Sequence, residues 1–217
     1  MKVVALVPIK LHSQRLANKN LLPINGKPMC WYICNTLKQV EMIDETFVYC
    51  SDEKVKQYIP EGINYLKRDS ALDGDSVKGF DIYDSFIQKV DADVYVLAHT
   101  TSPFIRKETL EKAILCVIQG KNDSAFSARR IQTFAWYENK PINYDLNDVP
   151  RTQDIEPIWE ETSGFYIFKK EVFTEEHRRI GFVPYIAEVR GAETIDIDEL
   201  EDYELACAYA LREDKNG

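Results

Sequence analysis

The sequence is poor in three features that mark common protein classes: early glycines, patterned cysteines and long apolar runs. Gly26 is the only glycine before Gly62, so the N-terminal region holds neither a glycine-rich phosphate loop nor the dinucleotide-binding fingerprint. The five cysteines are scattered without the spacing of a zinc site, and we expect buried thiols in a reducing cytoplasm. No run approaches the ~20 apolar residues of a membrane span. We therefore expect a cytoplasmic protein with no membrane partner.

Basic residues are also in the minority. The chain has 27 lysines and arginines against 36 aspartates and glutamates, a formal net charge of −9. A nucleic-acid binder needs a net basic face for the phosphate backbone, so we expect no nucleic-acid partner. The 217 residues, 45% of them hydrophobic, suffice for one globular domain with a sizeable core. We predict a single domain over residues 1–217.

Strand and helix patterns alternate through the first ~120 residues. Buried strands are predicted near 3–7, 46–50, 62–66 and 93–98, and helices over 28–39, 77–90 and 107–119, with Asp75 and Ser76 as candidate caps of the second helix. This alternation predicts an α/β fold with a mostly parallel sheet. Further along the chain, strands are predicted at 124–130, 163–168 and 183–189, followed by a closing helix over 199–212.

The loop after the first predicted strand stands out against the acidic background. From Pro8 to Pro28 it has no acidic residue. Its basic side chains are Lys10, Arg15, Lys19 and Lys27. A loop that leaves the carboxyl end of a buried first strand lies where open α/β sheets bind their ligands. We interpret it as a binding segment for a small anionic ligand held by side-chain charge, with a solvated surface loop as the alternative.

A pair of carboxylates near the C-terminus is the second feature. In the run Ile195-Asp196-Ile197-Asp198, a strand conformation would put both carboxylates on one face. Such hard oxygen ligands suit Mg²⁺, which commonly takes one or two carboxylates plus phosphate oxygens of a substrate. We therefore predict a Mg²⁺ site at Asp196 and Asp198, with Mn²⁺ as a substitute. Capping of the following helix is the alternative, and it is our interpretation of Glu199, Glu201 and Asp202.

The basic loop also carries a recognisable motif. Its residues are Pro8, Ile9, Lys10, Ser13, Arg15, Lys19, Asn20, Gly26, Lys27 and Pro28. The set resembles the N-terminal motif of the cytidylyltransferases that activate sialic acids, P-A-R-x-x-S-K-x-x-x-x-K-N followed by G-K-P. Lys10 stands where the family usually has arginine, which keeps the charge without the bidentate geometry. Gln14 stands where the family often has lysine, and Arg15 is the neighbouring charge that would replace it.

The resemblance extends from residue 3 to about residue 210 and implies a Rossmann-like, GT-A-like sheet of the nucleotide-diphospho-sugar transferase type. It implies a Mg²⁺-dependent nucleotidyltransferase that converts CTP and a nine-carbon 2-keto acid sugar into a CMP-sugar and pyrophosphate. It also implies a homodimer, with residues 131–165 as an extension for dimerisation or for the sugar site. A hairpin packed over the core is the alternative for the aromatic part of this segment.

Carried over residue by residue, the resemblance implies groups of site residues. The catalytic group is Lys19, Arg15 and Asp198. The nucleotide-binding group is Pro8, Lys10, Ser13, Asn20, Asp75, Ser76, His99 and Thr101. The acid-sugar group is Arg151, Gln153 and Ser163, and Ser163 replaces the usual asparagine of the family. The metal group is Asp196 and Asp198.

Two of these residues have other interpretations. His99 follows the strand at 93–98, where the family typically has glutamine; a neutral imidazole there would hydrogen-bond a base or a sugar, or it is a satisfied polar residue at a strand end. Arg151 suits a sugar carboxylate because guanidinium and carboxylate pair bidentately. The alternative for Arg151 is a surface salt bridge to Asp148 or Asp154.

Two other functions stay open at the level of sequence. A metal-dependent glycosyltransferase would use Asp196 and Asp198 as its metal motif. A non-catalytic nucleotide-binding homologue is compatible with the changes at Lys10, Gln14 and His99. Neither a Ser-His-Asp arrangement nor an unambiguous general base can be picked out, so covalent catalysis is not expected.

Overall fold

The computed structural model describes residues 1–11 and 16–216, without the side chains of 213–216. Ser13 and Arg15, which the resemblance assigns to the site, lie outside the described residues together with Gln14. Within the described part, no helix is long and apolar enough to cross a membrane.

A seven-stranded sheet runs through the described part of the chain. Its strands are β1 (Val3–Pro8), β4 (Glu45–Cys50), β5 (Asn64–Lys67), β6 (Val94–Ala98), β7 (Ser124–Ile131), β10 (Ile158–Lys169) and β11 (Pro184–Glu188). Their order across the sheet is β11-β7-β10-β6-β1-β4-β5. Strand β10 is antiparallel to β6 and β7, and the other neighbouring pairs are parallel. The predicted α/β fold with a mostly parallel sheet is confirmed.

Two hairpins of two-residue strands lie outside this sheet. One pairs β2 (Pro23–Ile24) with β3 (Lys27–Pro28), and the other pairs β8 (Trp136–Tyr137) with β9 (Lys140–Pro141). The first turn is Asn25-Gly26, with φ of 44° and 75°. Positive φ at both central residues is the requirement of the tight type I′ hairpin turn, and Asn-Gly is its preferred pair. The motif glycine Gly26 therefore serves a hairpin inside the basic loop.

Helices cover both faces of the sheet. Helices α1 (Met29–Gln39) and α3 (Lys107–Ile118) pack with one set of alternating β1 residues, and α2 (Gly79–Ile87) and α4 (Lys170–Thr174) pack with the other set. Burial on both faces explains the continuous apolar run of β1. Helix α5 (Leu200–Asn216) packs through Ala206 against Ile24 of the first hairpin. The C-terminus thus closes over the segment that follows β1.

Residues 195–198 do not adopt the strand conformation that would put both carboxylates on one face. These residues form an irregular segment between a 3-10 helix (Gly191–Thr194) and α5. Ile197 is buried, and its N–H donates to the Thr101 carbonyl at 2.8 Å. Asp202 accepts the backbone N–H groups of residues 198 and 199. The backbone N–H groups that a sheet would have paired therefore donate to a helix-capping side chain and to a loop carbonyl.

The predicted cap of α2 is also wrong. Asp75 and Ser76 precede the helix without capping it; instead, the backbone N–H of Lys78 donates to Asp81 at 2.9 Å. The Asp75 carboxylate forms an ion pair with Lys10 at 2.9 Å. The acidic side chain that the local pattern assigned to a helix end pairs instead with the basic loop, a contact between residues 65 positions apart.

Arg68 joins the carboxyl ends of three neighbouring strands, β1, β4 and β5. Its side chain is 1% exposed. The guanidinium donates to the carbonyl of Tyr49 at 3.2 Å and to the carbonyl of Ile9 at 3.0 Å, and it forms an ion pair with Asp73 at 2.6 Å. Burial alone would raise the pKa of Asp73, yet hydrogen bonds from Ser51 and Arg68 hold that pKa below its ordinary value. The start of the basic loop is thereby fixed to β4 and β5.

Removal of this guanidinium is expected to be costly. We predict that Arg68→Met lowers the free energy of unfolding by about 3–5 kcal/mol, because breaking a buried ion pair leaves an unpaired charge and unpaired carbonyls. Urea denaturation measures the change. The matched control is Lys67→Met, one residue away and exposed, which should stay within about 0.5 kcal/mol of the wild type.

The ionised form of Asp73 should carry part of this effect. Because its folded pKa is lowered, its contribution is present above the unfolded carboxylate pKa and is lost as the pH falls through the folded value. The stability gap between wild type and Arg68→Met should therefore narrow in acid. An equal loss for Lys67→Met and Arg68→Met would contradict the role given to Arg68.

Candidate active site

The predicted site residues converge on the carboxyl edge of the sheet. Strand β1 ends at Pro8 and leads into Lys10, and the neighbouring β6 ends just before His99. The segment at 195–198 is joined to the end of β6 by the hydrogen bond from Ile197 to Thr101. Open α/β sheets bind ligands at this edge, outside the carboxyl ends of their strands.

Lys19 and Asp198 form the central contact. Lys19 Nζ lies 2.8 Å from Asp198 Oδ1, and the Lys19 side chain is 11% exposed. Lys19 opens a 3-10 helix (Lys19–Leu21) within the basic loop. A lysine this buried requires an anionic partner. The structure thus brings together two residues that the sequence predicted as catalytic.

Asn20 ties the basic loop to the end of β6. Its side-chain nitrogen donates to the Lys10 carbonyl at 2.6 Å, and its side-chain oxygen accepts from the Thr100 hydroxyl at 2.5 Å. Thr100 lies two residues beyond the end of β6. The contact gives it a definite role, since it holds the residue next to Lys19 in place.

Asp196 presents an unsatisfied oxygen. Its Oδ1 is buried and has no hydrogen-bond partner among the described residues. Burial, followed by the nearby Asp198 carboxylate, raises the pKa of Asp196 against the hydrogen bond from Thr101. A buried carboxylate oxygen without a donor is costly. A cation beside Asp196 and Asp198 would relieve that cost.

The donor set fits Mg²⁺ bound together with a substrate. No cluster of three or more His, Cys, Asp or Glu side chains suited to a metal occurs among the described residues. A metal held by Asp196 and Asp198 would therefore take its other ligands from a phosphate-bearing substrate and water, as Mg²⁺ commonly does. Two carboxylates, one of them with an orphaned oxygen, meet that requirement.

His99 is a fixed, neutral polar group. Its Nδ1 lies 2.6 Å from the Ser163 carbonyl, and its Nε2 lies 3.4 Å from the Tyr83 hydroxyl. Burial, above all, lowers the pKa of His99, and the charge of Arg179 adds to the effect. Because a carbonyl oxygen faces Nδ1, that nitrogen carries the proton and Nε2 accepts from Tyr83. His99 is thus a satisfied side chain that also lines the site.

Ser163 lies in a break of β10. The register between β10 and β7 shifts between Glu161 and Tyr166, and Ser163 has a φ of 57°. At the next residue, Gly164, an added Cβ would lie 2.9 Å from the end of the Ile105 side chain, so a larger residue would force that side chain to shift. The break turns the Ser163 carbonyl toward His99. Bulges with such left-handed residues occur beside active sites.

A further basic side chain, Arg179, lies beyond His99. The Arg179 guanidinium stacks over the Tyr166 ring at 3.8 Å from its centroid and lies 3.0 Å from Glu161. The Tyr166 hydroxyl donates to Glu161 and to Ser163. Sequence reasoning missed Arg179. The only signal was the pair Arg178-Arg179 in an acidic chain, and no pattern showed which of the two faces inward.

The other predicted residues lie farther out. Lys10 and Asp75 face each other in the ion pair at the mouth of the site, and Ser76 is exposed next to them. Arg151 is 73% exposed and forms a bidentate salt bridge with Asp154, at 2.6 and 3.1 Å. This is the surface salt bridge that was the alternative to a carboxylate fork. Gln153 is exposed on the same 3-10 helix (Thr152–Asp154).

Comparisons with known proteins identify related chains. Residues 4–211 match the model of a family described as cytidylyltransferase. An N-acylneuraminate cytidylyltransferase of Streptococcus agalactiae is 24% identical over all of this chain and 56% of its own length, so the chain spans about half the length of such curated relatives. A pseudaminic acid cytidylyltransferase of Campylobacter jejuni is 23% identical over 95% of both proteins.

Solved structures share the fold. A CMP:2-keto-3-deoxy-manno-octonic acid synthetase complexed with CTP has a TM-score of 0.77 at 21% identity, covering 98% of this chain and 100% of its own. A 4-diphosphocytidyl-2C-methyl-D-erythritol synthase of Anaerococcus prevotii has a TM-score of 0.67 at 13% identity, covering 97% and 96%. These likenesses confirm the Rossmann-like sheet. With a family match over nearly its whole length, the chain belongs to the cytidylyltransferase family.

Proposed function

We propose that this protein transfers CMP from CTP to a sialic-acid-like 2-keto acid sugar and releases pyrophosphate. The observation that carries the proposal is the buried Lys19, held on Asp198 beside the unsatisfied oxygen of Asp196 at the ligand-binding edge of the sheet. The named activities of the Streptococcus and Campylobacter relatives, both on nonulosonic acids, support the substrate class.

The proposed reaction needs little covalent chemistry from the protein. The anomeric hydroxyl oxygen of the sugar attacks the α-phosphorus of CTP and releases its proton to solvent, while the bond to the oxygen that bridges to the β-phosphate breaks and its electron pair leaves with pyrophosphate. Negative charge therefore grows on the departing group. Fixed cations aimed at that charge are the main means of lowering such a barrier. Lys19 is the buried cation of the site, and Lys10 lies at its mouth.

The divalent ion belongs to the same proposal. Mg²⁺, or Mn²⁺ in its place, would be held by Asp196 and Asp198, and when bound it supplies charge neutralisation on the phosphates. The chain's own contribution is to keep Asp198 in place through Lys19 and to fix the 195–198 segment to the end of β6 through Ile197.

The decisive experiment separates three functions at once. The protein is incubated with CTP, Mg²⁺ and each of N-acetylneuraminic acid, pseudaminic acid and 3-deoxy-manno-octulosonate, and pyrophosphate is measured. Pyrophosphate together with a CMP-sugar is the expected result. In a parallel incubation that replaces CTP by a nucleotide-sugar donor and adds an acceptor, sugar transfer without pyrophosphate would instead identify a glycosyltransferase. CTP binding without turnover on this panel would identify a non-catalytic homologue.

The metal assignment predicts a specific loss. Excess chelator should abolish turnover, and Mg²⁺ or Mn²⁺ should restore it. Asp198→Asn should remove most of the turnover while the protein still folds, although its melting temperature should fall because Lys19 loses its anionic partner. The control is Glu201→Gln, an exposed acidic residue in the first turn of α5, which should keep its rate. Full activity of Asp198→Asn would sink the assignment.

Lys19 should matter more for turnover than for binding. Loss of one group that stabilises transition-state charge typically costs about 2.7–4 kcal/mol, roughly a hundred- to a thousandfold in rate. We expect Lys19→Ala to lose at least tenfold of its turnover, with a smaller change in CTP affinity. Lys27→Ala is the control, since Lys27 is exposed and lies over the Trp31 ring. Normal turnover by Lys19→Ala would rule out the basic loop as the phosphate site.

The extension at 131–165 predicts a homodimer. Its exposed apolar residues are Trp136, Tyr137, Ile142, Leu146, Val149 and Trp159. An apolar surface of this kind commonly marks an interface. Light scattering at micromolar concentration should give a dimer, and the double variant Tyr137→Ser with Leu146→Ser should shift it toward monomer. The control is Leu205→Ser on α5, also exposed. A monomeric wild type would favour a hairpin that serves this chain alone.

A further inference from the structure

Arg179 has an environment unlike that of the other arginines described. Arg129, Arg151 and Arg190 form salt bridges at the surface and are 47%, 73% and 76% exposed. Arg68 is sealed in the interior with carbonyl and carboxylate partners. Arg179 is intermediate at 28% exposed, lying flat on the Tyr166 ring. It is held in place but still reaches solvent.

The stacked geometry leaves donors available. A guanidinium has five N–H donors in one plane, and stacking on a ring uses its face while leaving the edges of the plane for hydrogen bonds. The Nη2 of Arg179 donates to Glu161 at 3.0 Å, and the Tyr83 hydroxyl interacts with the Arg179 guanidinium. Glu161 is itself fixed by the Tyr166 hydroxyl. The Arg179 guanidinium is therefore oriented before any ligand arrives. Part of its hydrogen-bonding edge has no partner among the described residues.

A series of contacts separates Arg179 from Lys19, the lysine proposed to bind phosphate. Lys19 pairs with Asp198, which lies near Asp196 and His99. His99 in turn contacts the Ser163 carbonyl in the break of β10. Arg179 stacks on Tyr166 at the far end of that break. Lys10, Lys19 and Asp75 lie on the basic-loop side of this series. With CTP phosphates on that side, the acceptor would lie against Tyr166 and Arg179.

We propose that Arg179, rather than Arg151, receives the carboxylate of the acceptor sugar. The inference rests on the proposed function. In a cyclic 2-keto acid sugar, the anomeric carbon bears both the carboxylate and the attacking hydroxyl. A bidentate fork on the carboxylate therefore positions the nucleophilic oxygen, which is the main benefit of orienting a substrate. Arg151 already uses the Nε–Nη2 edge of its guanidinium on Asp154 and lies on the exposed extension.

The test compares an acid substrate with a neutral analogue. Wild type, Arg179→Met, Arg179→Lys, Arg151→Met and the control Arg178→Met are assayed for pyrophosphate release with the acid sugar of the panel that turns over and with its methyl ester. Arg178 is exposed on the same bend and lies over the Phe182 ring, which makes it a matched control. The ratio of kcat/KM for acid over ester does not depend on the fraction of folded enzyme.

The expected result is a collapse of that ratio in Arg179→Met alone. Its KM for the acid sugar should rise roughly tenfold to a hundredfold, the scale of a lost charge-assisted hydrogen bond, while the calorimetric affinity for CTP stays within about twofold of wild type. Arg179→Lys should recover part of the ratio, because it keeps the charge without the fork. Arg178→Met should match wild type, and Arg151→Met should keep the wild-type ratio of kcat/KM for acid over ester.

Other outcomes overturn the proposal in distinct ways. If Arg179→Met keeps the wild-type preference for the acid while wild type is active, the Arg179 assignment is wrong and the proposed function stands. If Arg151→Met loses the preference instead, the carboxylate belongs to the extension. If wild type releases no pyrophosphate with any sugar of the panel, the proposed function fails, and the Arg179 assignment fails with it.

Discussion

The contact on which the candidate site depends is the ion pair between Lys19 and Asp198. It joins side chains 179 positions apart in the chain at 2.8 Å. Each partner needs the other, since a buried lysine and a half-buried carboxylate are both costly when alone. The pair fastens the segment after the first strand to the segment before the last helix. The N- and C-terminal parts of the fold therefore meet at the site.

Pairing with carboxylates from distant segments also explains how so acidic a chain holds a basic loop. Two of its described cations are neutralised from distant segments, Lys10 by Asp75 and Lys19 by Asp198. Arg68, paired with Asp73, fixes the carbonyl of Ile9 near the start of the loop. A loop of lysines without these carboxylates would repel itself. An incoming polyphosphate would meet cations already held in place, so that little ordering entropy remains to be lost on binding.

The sequence predicted what local periodicity controls. The buried run of β1 and the apolar stripes of α1 and α3 were read directly, because burial on one or both faces imposes a repeat. The basic loop and the carboxylate pair were also found, since composition alone marks them. What failed was local geometry that distant contacts decide. The 195–198 segment has a strand-like pattern, yet Thr101 and Asp202 take its N–H groups.

The inward-facing arginines were beyond such reasoning for a related reason. Nothing near Arg68 or Arg179 in the sequence indicates burial; Arg68 is buried because carbonyls from two other strands end beside it. Arg179 and Arg178 have the same local composition, and tertiary contacts distinguish them: Arg179 meets the Tyr166 ring and Glu161, whereas Arg178 lies over the Phe182 ring. The topology of the fold sets partners of this kind. The residues next to an arginine in the sequence do not show whether it is buried.

The break in β10 has a consequence for how this fold can vary. On either side of it, β10 pairs with β7 in a different register, so the two halves of the strand are aligned independently. In an uninterrupted strand, a one-residue insertion would exchange the core and solvent faces along its whole length. Here an insertion or deletion on the extension side can be absorbed at the break, and Phe165 to Phe168 keep their places in the core. The extension is therefore free to change length while the catalytic edge is kept.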